Sequence, residues 1–268
     1  MTASFRKCWA VFGIFLQDGL TYRASMIIWI MTDVVTAVTM PLVWARASAA
    51  SGGPIGGFSI GDFVLYYMCL LLMDNFITTH IMWDIAMEIK EGNFTVYLVR
   101  PMSYYQYMYF RNLAWRLLRV VFFIPFFIVL LWLYHGYLNG EHVYFSLAFV
   151  LSLVLGHLVS FATVMMMSML ALFTQEVFSI FELYYFPMIF LSGQLFPVAM
   201  LPHWAQVAAK LLPFYFTTGA PTEILIGRVT GPAIYQTLAI QASWVAIAFL
   251  LSKWLWAKGL KHYSGVGM

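Results

Sequence analysis

Six stretches of this chain, at 26–45, 62–83, 113–134, 145–171, 177–199 and 235–257, are each apolar over about the 20 residues that a helix needs to cross a hydrocarbon core about 30 Å thick. That repeated length constrains the fold more than any motif and predicts an all-α polytopic membrane protein with six transmembrane helices. Composition agrees. Only 9% of the 268 residues are charged and 63% are hydrophobic, whereas a soluble domain is about a quarter charged. Nine per cent cannot clothe a soluble globule of this size. The same figures exclude a disordered chain or a disulfide scaffold. Cys8 and Cys69 are the only cysteines, each within an apolar stretch, which leaves no Cys-based zinc site. A net charge of +3 is too small to suggest nucleic acid; the placement of the charges is what informs.

Arg6, Lys7 and Arg23 precede the first span; Lys90, Arg100 and Arg111 lie between the second and third; Arg116 and Arg119 enter the third; Lys253, Lys258 and Lys261 close the chain. These are eleven of the fourteen basic residues, against Arg46, Lys210 and Arg228 on the other side. The positive-inside rule then puts both termini in the cytoplasm, which an even number of spans permits. Ahead of the first span, residues 1–23 resemble a signal peptide but lack a small-x-small cleavage site. Phe5, Trp9, Phe12, Leu16 and Leu20 share one helical face, with Arg6, Lys7, Gln17 and Asp18 on the other, the pattern of a helix lying in the membrane interface.

Three connections differ in character. Residues 46–61 are small and Gly-rich, reading as a flexible external loop; 84–112 form the largest cytoplasmic segment; 200–232 form the largest external one, punctuated by Pro202, Pro213, Pro221 and Pro232. No H-E-x-x-H, G-x-S-x-G or phosphate-loop signature occurs. Leu191-Ser-Gly-Gln194 imitates part of an ATPase signature, but it sits in a hydrophobic span without a phosphate loop, so this chain binds no nucleotide of its own on this reading. His135, Glu141 and His142 read as a polar turn, and neither a metal site nor a catalytic set is expected.

Acidic groups at membrane depth each cost at least about 2.5 kcal/mol near the bilayer centre. Asp33 in span one, Asp74 with Asn75 in span two, and Glu182 in span five are such groups. No Lys or Arg is expected at the depth of Asp33 or Asp74. Two readings stay open for them: helix–helix hydrogen bonding, or the lining of a substrate path. Span five breaks at Ser192, Gly193, Gln194 and Pro197. Non-helical backbone there must be buried in protein or face water, so 193–215 is expected to form a broken outer segment with re-entrant helices that gate a path. The run Met165, Met166, Met167 and Met169 reads as packing surface.

The stretch Lys90-Glu-Gly-Asn-Phe-Thr-Val-Tyr-Leu-Val-Arg-Pro101 resembles the E-G-x-(6–7)-R-P element of ABC-2 type membrane subunits. Gly193, Phe196-Pro197, Leu201-Pro202, Leu212-Pro213-Phe214, Pro221, Glu223-Ile-Leu and Gly227-Arg228 continue the likeness, as does the tail Lys258 to Gly267. The chain is identified as similar to the ABC-2 permease subfamily once catalogued as a domain of unknown function, over nearly its whole length. The resemblance implies a single transmembrane domain over 1–268 and an exporter permease of a prokaryotic cytoplasmic (inner) membrane. Its partners would be a second permease, most often an unlike one, membrane lipids, and two separate ABC ATPase subunits that use ATP and Mg. It also implies that 84–103 docks the ATPases, through Glu88, Lys90, Glu91, Gly92, Arg100 and Pro101, with Pro101 stopping the docking helix. The competing expectation is a secondary transporter or channel in which Asp33 and Asp74 carry protons or cations.

Overall fold

The computed structural model of the chain describes residues 3–174 and 176–263. Helix α1 (Ala3–Thr21) turns at Tyr22 into α2 (Arg23–Ser51), followed by α3 (Ile60–Ile77), α4 (Met82–Lys90), α5 (Phe94–Leu98), α6 (Tyr104–Tyr134), α7 (Leu147–Ser168), α8 (Val177–Leu191), α9 (His203–Leu211), α10 (Gly219–Leu225) and α11 (Pro232–Gly259). Among the described residues there is no strand, only an isolated bridge between Ile55 and Phe58. Of the tail that carries part of the resemblance, Ser264 to Gly267 lie outside the described residues, as do Met1 and Thr2 ahead of α1.

Among the described residues, five helical stretches are long and apolar enough to cross a bilayer: Arg23–Ser51, Ile60–Lys90, Tyr104–Tyr137, Leu147–Leu172 and Pro232–Gly259. The expected fifth of six spans, 177–199, is helical only over Val177–Leu191, because the chain leaves helical geometry at Ser192 to Pro197. Pro41, Pro125 and Pro187 sit inside α2, α6 and α8. Membrane helices tolerate this when neighbours satisfy the freed backbone groups.

Helix α3 is the hub. It packs on α2, α6, α7 and α10, and Phe63, Val64, Tyr66, Tyr67, Met68, Met73 and Ile77 are all within 2% of full burial. Its start is fixed by a capping box, in which the Ser59 hydroxyl accepts from the Asp62 N–H (3.0 Å) and the Asp62 carboxylate accepts from the Ser59 N–H (2.8 Å). Beside the hub, α7 and α11 form the most extensive helix pair, and α1 lies along α6. The stretch expected as a loop at 46–61 is partly helical. Helix α2 continues to Ser51, and the remainder folds as a tight turn that buries Phe58 completely.

Candidate functional site

Two regions carry most of the charged and polar groups singled out in the sequence, and α3 and α4 join them. The first lies inside the bundle. Helix α6 begins at Tyr104, well before the expected start at 113, which carries Arg116 and Arg119 three to four turns into the helix. The Arg119 guanidinium pairs with the Asp33 carboxylate on α2, lies 3.7 Å from Asp74 Oδ2 on α3, and donates from Nε to Asn75 Oδ1 (3.1 Å). The expectation that no basic group reaches the depth of Asp33 and Asp74 is therefore corrected. A long charged side chain on a third helix supplies the counter-ion. With Arg116 and Arg119 assigned to the helix interior, the flank inferred to be cytoplasmic still holds nine of the twelve remaining basic residues.

Arg116 does different work. It is 8% exposed, and its Nη1 donates to the carbonyls of Asp74 (3.2 Å) and Asn75 (3.0 Å). The Asp74 carbonyl also accepts from the Thr78 N–H (3.0 Å), but the Asn75 carbonyl is orphaned because α3 stops at Ile77 and α4 starts only at Met82. Two further backbone groups at this break find side-chain partners. The Thr79 N–H donates to Ser160 Oγ (2.9 Å), and His157 Nδ1 lies 3.2 Å from the Ile77 carbonyl. Helices α6 and α7 thus offset the polar cost of interrupting a membrane helix, and a cation at the C-terminal end of α3 also suits its dipole.

On its other side the network reaches the break after α8. Gln194 Nε2 donates to Asp74 Oδ1 (3.1 Å), the Tyr66 hydroxyl to the Gly193 carbonyl (2.8 Å), and the Tyr67 hydroxyl to the Leu195 carbonyl (2.8 Å). Trp44 Nε1 in turn donates to Tyr67 (3.0 Å). Gly193 has φ +88°, and a Cβ there would meet the Tyr66 hydroxyl, so both the turn and the close approach require glycine. A cavity of about 100 Å³ opens here, lined by Asp33, Thr36, Asp74, His80, Tyr185 and Gln194 among others. Of the residues singled out in the sequence, Asp33, Asp74, Asn75, Gly193 and Gln194 come together. Ser192 is fully buried beside them, with its carbonyl against Gly219, and Pro197 closes the turn. Glu182 stands apart on an exposed face of α8. Sequence reasoning missed Arg116, Arg119, Tyr66 and Tyr67. The available signal was Ser103 after Pro101, a helix start that moves both arginines inward.

The second region is α4 and α5. Glu88, half-buried, accepts from Arg111 Nη1 (2.6 Å) and from the Tyr97 hydroxyl (3.0 Å), while Arg111 Nη2 binds Asp84 (3.1 Å). Burial, with the Glu88 carboxylate alongside, pushes the Tyr97 phenol well up, so it stays a donor. Glu88 therefore ties the segment to α6 instead of projecting from it. Gly92, with φ +81°, ends α4, and the second helix of the segment, α5, ends at Leu98 ahead of Pro101. Pro101 lies in the turn before α6, where its carbonyl accepts from Lys7 Nζ (3.0 Å). Lys90 and Glu91 are exposed, and Arg100 stacks over Tyr97 and Tyr107, each at 4.9 Å. Around them Val96 (50%), Leu98 (42%) and Val99 (82%) form an exposed apolar surface.

Comparison with known proteins gives one positive finding: a family model described as ABC-2 family transporter protein matches residues 22–267. No curated protein and no solved structure matches the chain.

Proposed function

The chain belongs to the ABC-2 family of transporter proteins, and from that premise we propose that it is the permease subunit of an ATP-driven exporter. It is a membrane permease of an ABC transporter by family. In our reading Val177–Leu191 completes a set of six spans, α1 lies in the cytoplasmic interface, both termini are cytoplasmic, and α9 and α10 are re-entrant outer helices. A second permease, unlike this one, completes the substrate path. Two separate ABC ATPases bind ATP and Mg and dock on residues 84–103, in the inner membrane of a prokaryote.

The observation that best supports the docking role is the exposed surface of Glu91, Val96, Leu98, Val99 and Arg100 on a segment tied to α6 through Arg111. Such a surface suits a protein partner, since a large apolar patch with a charged rim is unusual on an unpartnered face. The same segment continues into α3, whose Asp74 holds Gln194 at the opposite break. A push on α4 accordingly has a short route to the 192–197 turn. The ion-driven alternative loses support, because Arg119 already pairs with Asp33 and lies 3.7 Å from Asp74.

The test is purification of the tagged chain from its host in mild detergent. An ABC ATPase in equimolar amount, with ATP hydrolysis that depends on the chain, is the expected result. A chain that purifies alone and transports in liposomes under a proton gradient would overturn the proposal.

A further inference from the structure

A groove of about 230 Å³ lies where α5, the start of α6 and the end of α11 meet, bounded by Tyr97, Leu98, Ser103, Tyr105, Lys253 and Trp256. In the membrane placement proposed above, the ends of these two helices lie at headgroup level, where aromatic residues gather. The walls are not equivalent. Lys253 holds its ammonium 3.9 Å over the Tyr105 ring, and that ring is itself fixed by a hydrogen bond between the Tyr105 and Ser252 hydroxyls (2.8 Å). At the floor is the first turn of a 31-residue helix, whose opening N–H groups and dipole present positive charge.

That turn is left open. Ser59 and Ser146 fold their hydroxyls back to cap α3 and α7, whereas Ser103 makes no such bond and no acidic residue stands in the first turn of α6. None of the groove's lining residues is acidic. The nearby carboxylate, Glu88, is bonded to Tyr97 and paired with Arg111. On the membrane side of Lys253, α11 exposes Phe249 (41%), Leu250 (67%) and Leu251 (45%), a track for hydrocarbon chains.

We infer that this groove binds the phosphate of an anionic phospholipid headgroup between Lys253 and the start of α6, with the acyl chains along α11. Basic pockets between spans at headgroup level suit such lipids, and here one wall, Tyr97 with Leu98, belongs to the proposed ATPase-docking segment. A bound headgroup would then brace that segment against α11. The lipid site stands whether or not the docking reading does, because its test needs no ATPase.

The experiment is native mass spectrometry of the full-length chain in detergent, titrated with short-chain phosphatidylglycerol or with phosphatidylcholine of the same acyl length. Phosphatidylglycerol is expected to bind at least tenfold more tightly. Lys253→Ala should remove most of that preference. Ser103→Asp should do the same while keeping the fold, since Asp is a strong N-cap that places a negative charge where the phosphate would lie. Lys258→Ala, on the same helix end, should change affinity less than twofold. Equal weakening by Lys253→Ala and Lys258→Ala would mean diffuse attraction and overturn the site. So would equal affinity for the two lipids, or displacement of phosphatidylglycerol by an equal concentration of inorganic phosphate, which would make it a free-anion site.

Discussion

Removing the Arg119 guanidinium is the harshest single change the intramembrane site can suffer. Its side chain is 14% exposed and faces Asp33 and Asp74 at 25% and 16%, so its loss leaves two part-buried carboxylates without the partner they share. Breaking a buried pair from one side costs about 3–5 kcal/mol, whereas replacing both partners with apolar groups is often close to neutral. Arg119→Met should therefore lower the unfolding midpoint of the purified chain sharply, and Arg119→Met with Asp33→Leu should recover part of the loss. Equal midpoints for the single and double variants would remove Asp33 from the network. This residue is also the least legible in the sequence. The three arginines of α6 read as an entry flank because the Tyr104–Tyr109 run, rich in tyrosine, is less apolar than residues 120–133. The helix nevertheless begins there, and Arg119 lies 15 residues inside it.

Among the elements, the interruption between α3 and α4 and the one after α8 have unequal sequence signals. The latter is visible as Gly193, Gln194 and Pro197, and a turn is found there. The former carries neither Gly nor Pro at Thr78 to Ile81, so nothing local announces it. It exists because side chains from α6 and α7, distant in sequence, take up its backbone groups. Arg116→Leu should thus be costly although Arg116 has no carboxylate within bonding distance. The Asn75 carbonyl would lose its donor, at about 1–3 kcal/mol, while the Asp74 carbonyl keeps the Thr78 N–H. Hydrogen exchange at 79–85 should then accelerate more than at α7. At the other break, Tyr66→Phe removes one buried bond to the Gly193 carbonyl, worth about 1 kcal/mol, so exchange at 193–196 should rise roughly fivefold. Gly193→Ala should exceed that, as left-handed backbone costs a non-glycine residue about 1–2 kcal/mol and its Cβ displaces Tyr66. An Ala variant with unchanged exchange would show that the turn is not held by these contacts.

At the scale of the whole molecule, the two regions lie on one continuous path: α4 is tied to α6 by Glu88 and Arg111, α3 to α6 by Asn75 and Arg119, and α3 to the 192–197 turn by Asp74, Tyr66 and Tyr67. If 84–103 is where an ATPase pushes, residues on that segment divide into those that receive the push and those that pass it on. Glu91 and Val99 are exposed and bonded to nothing in the bundle's interior, whereas Glu88 is half-buried against Arg111. Glu91→Lys with Val99→Asp should abolish co-purification of the ATPase while leaving the chain's own unfolding midpoint unchanged, as surface substitutions usually move stability by no more than about 0.5 kcal/mol. Glu88→Gln should do the reverse: it weakens the tie to Arg111, lowers the midpoint, and leaves ATPase bound but less able to drive transport. The pattern to measure is this crossing of two readouts over two variants. Loss of both binding and stability in each variant would mean that α4 and α5 form one structural unit with no separable docking face. Retention of the ATPase by the Glu91 and Val99 variant would move the docking surface elsewhere on the chain.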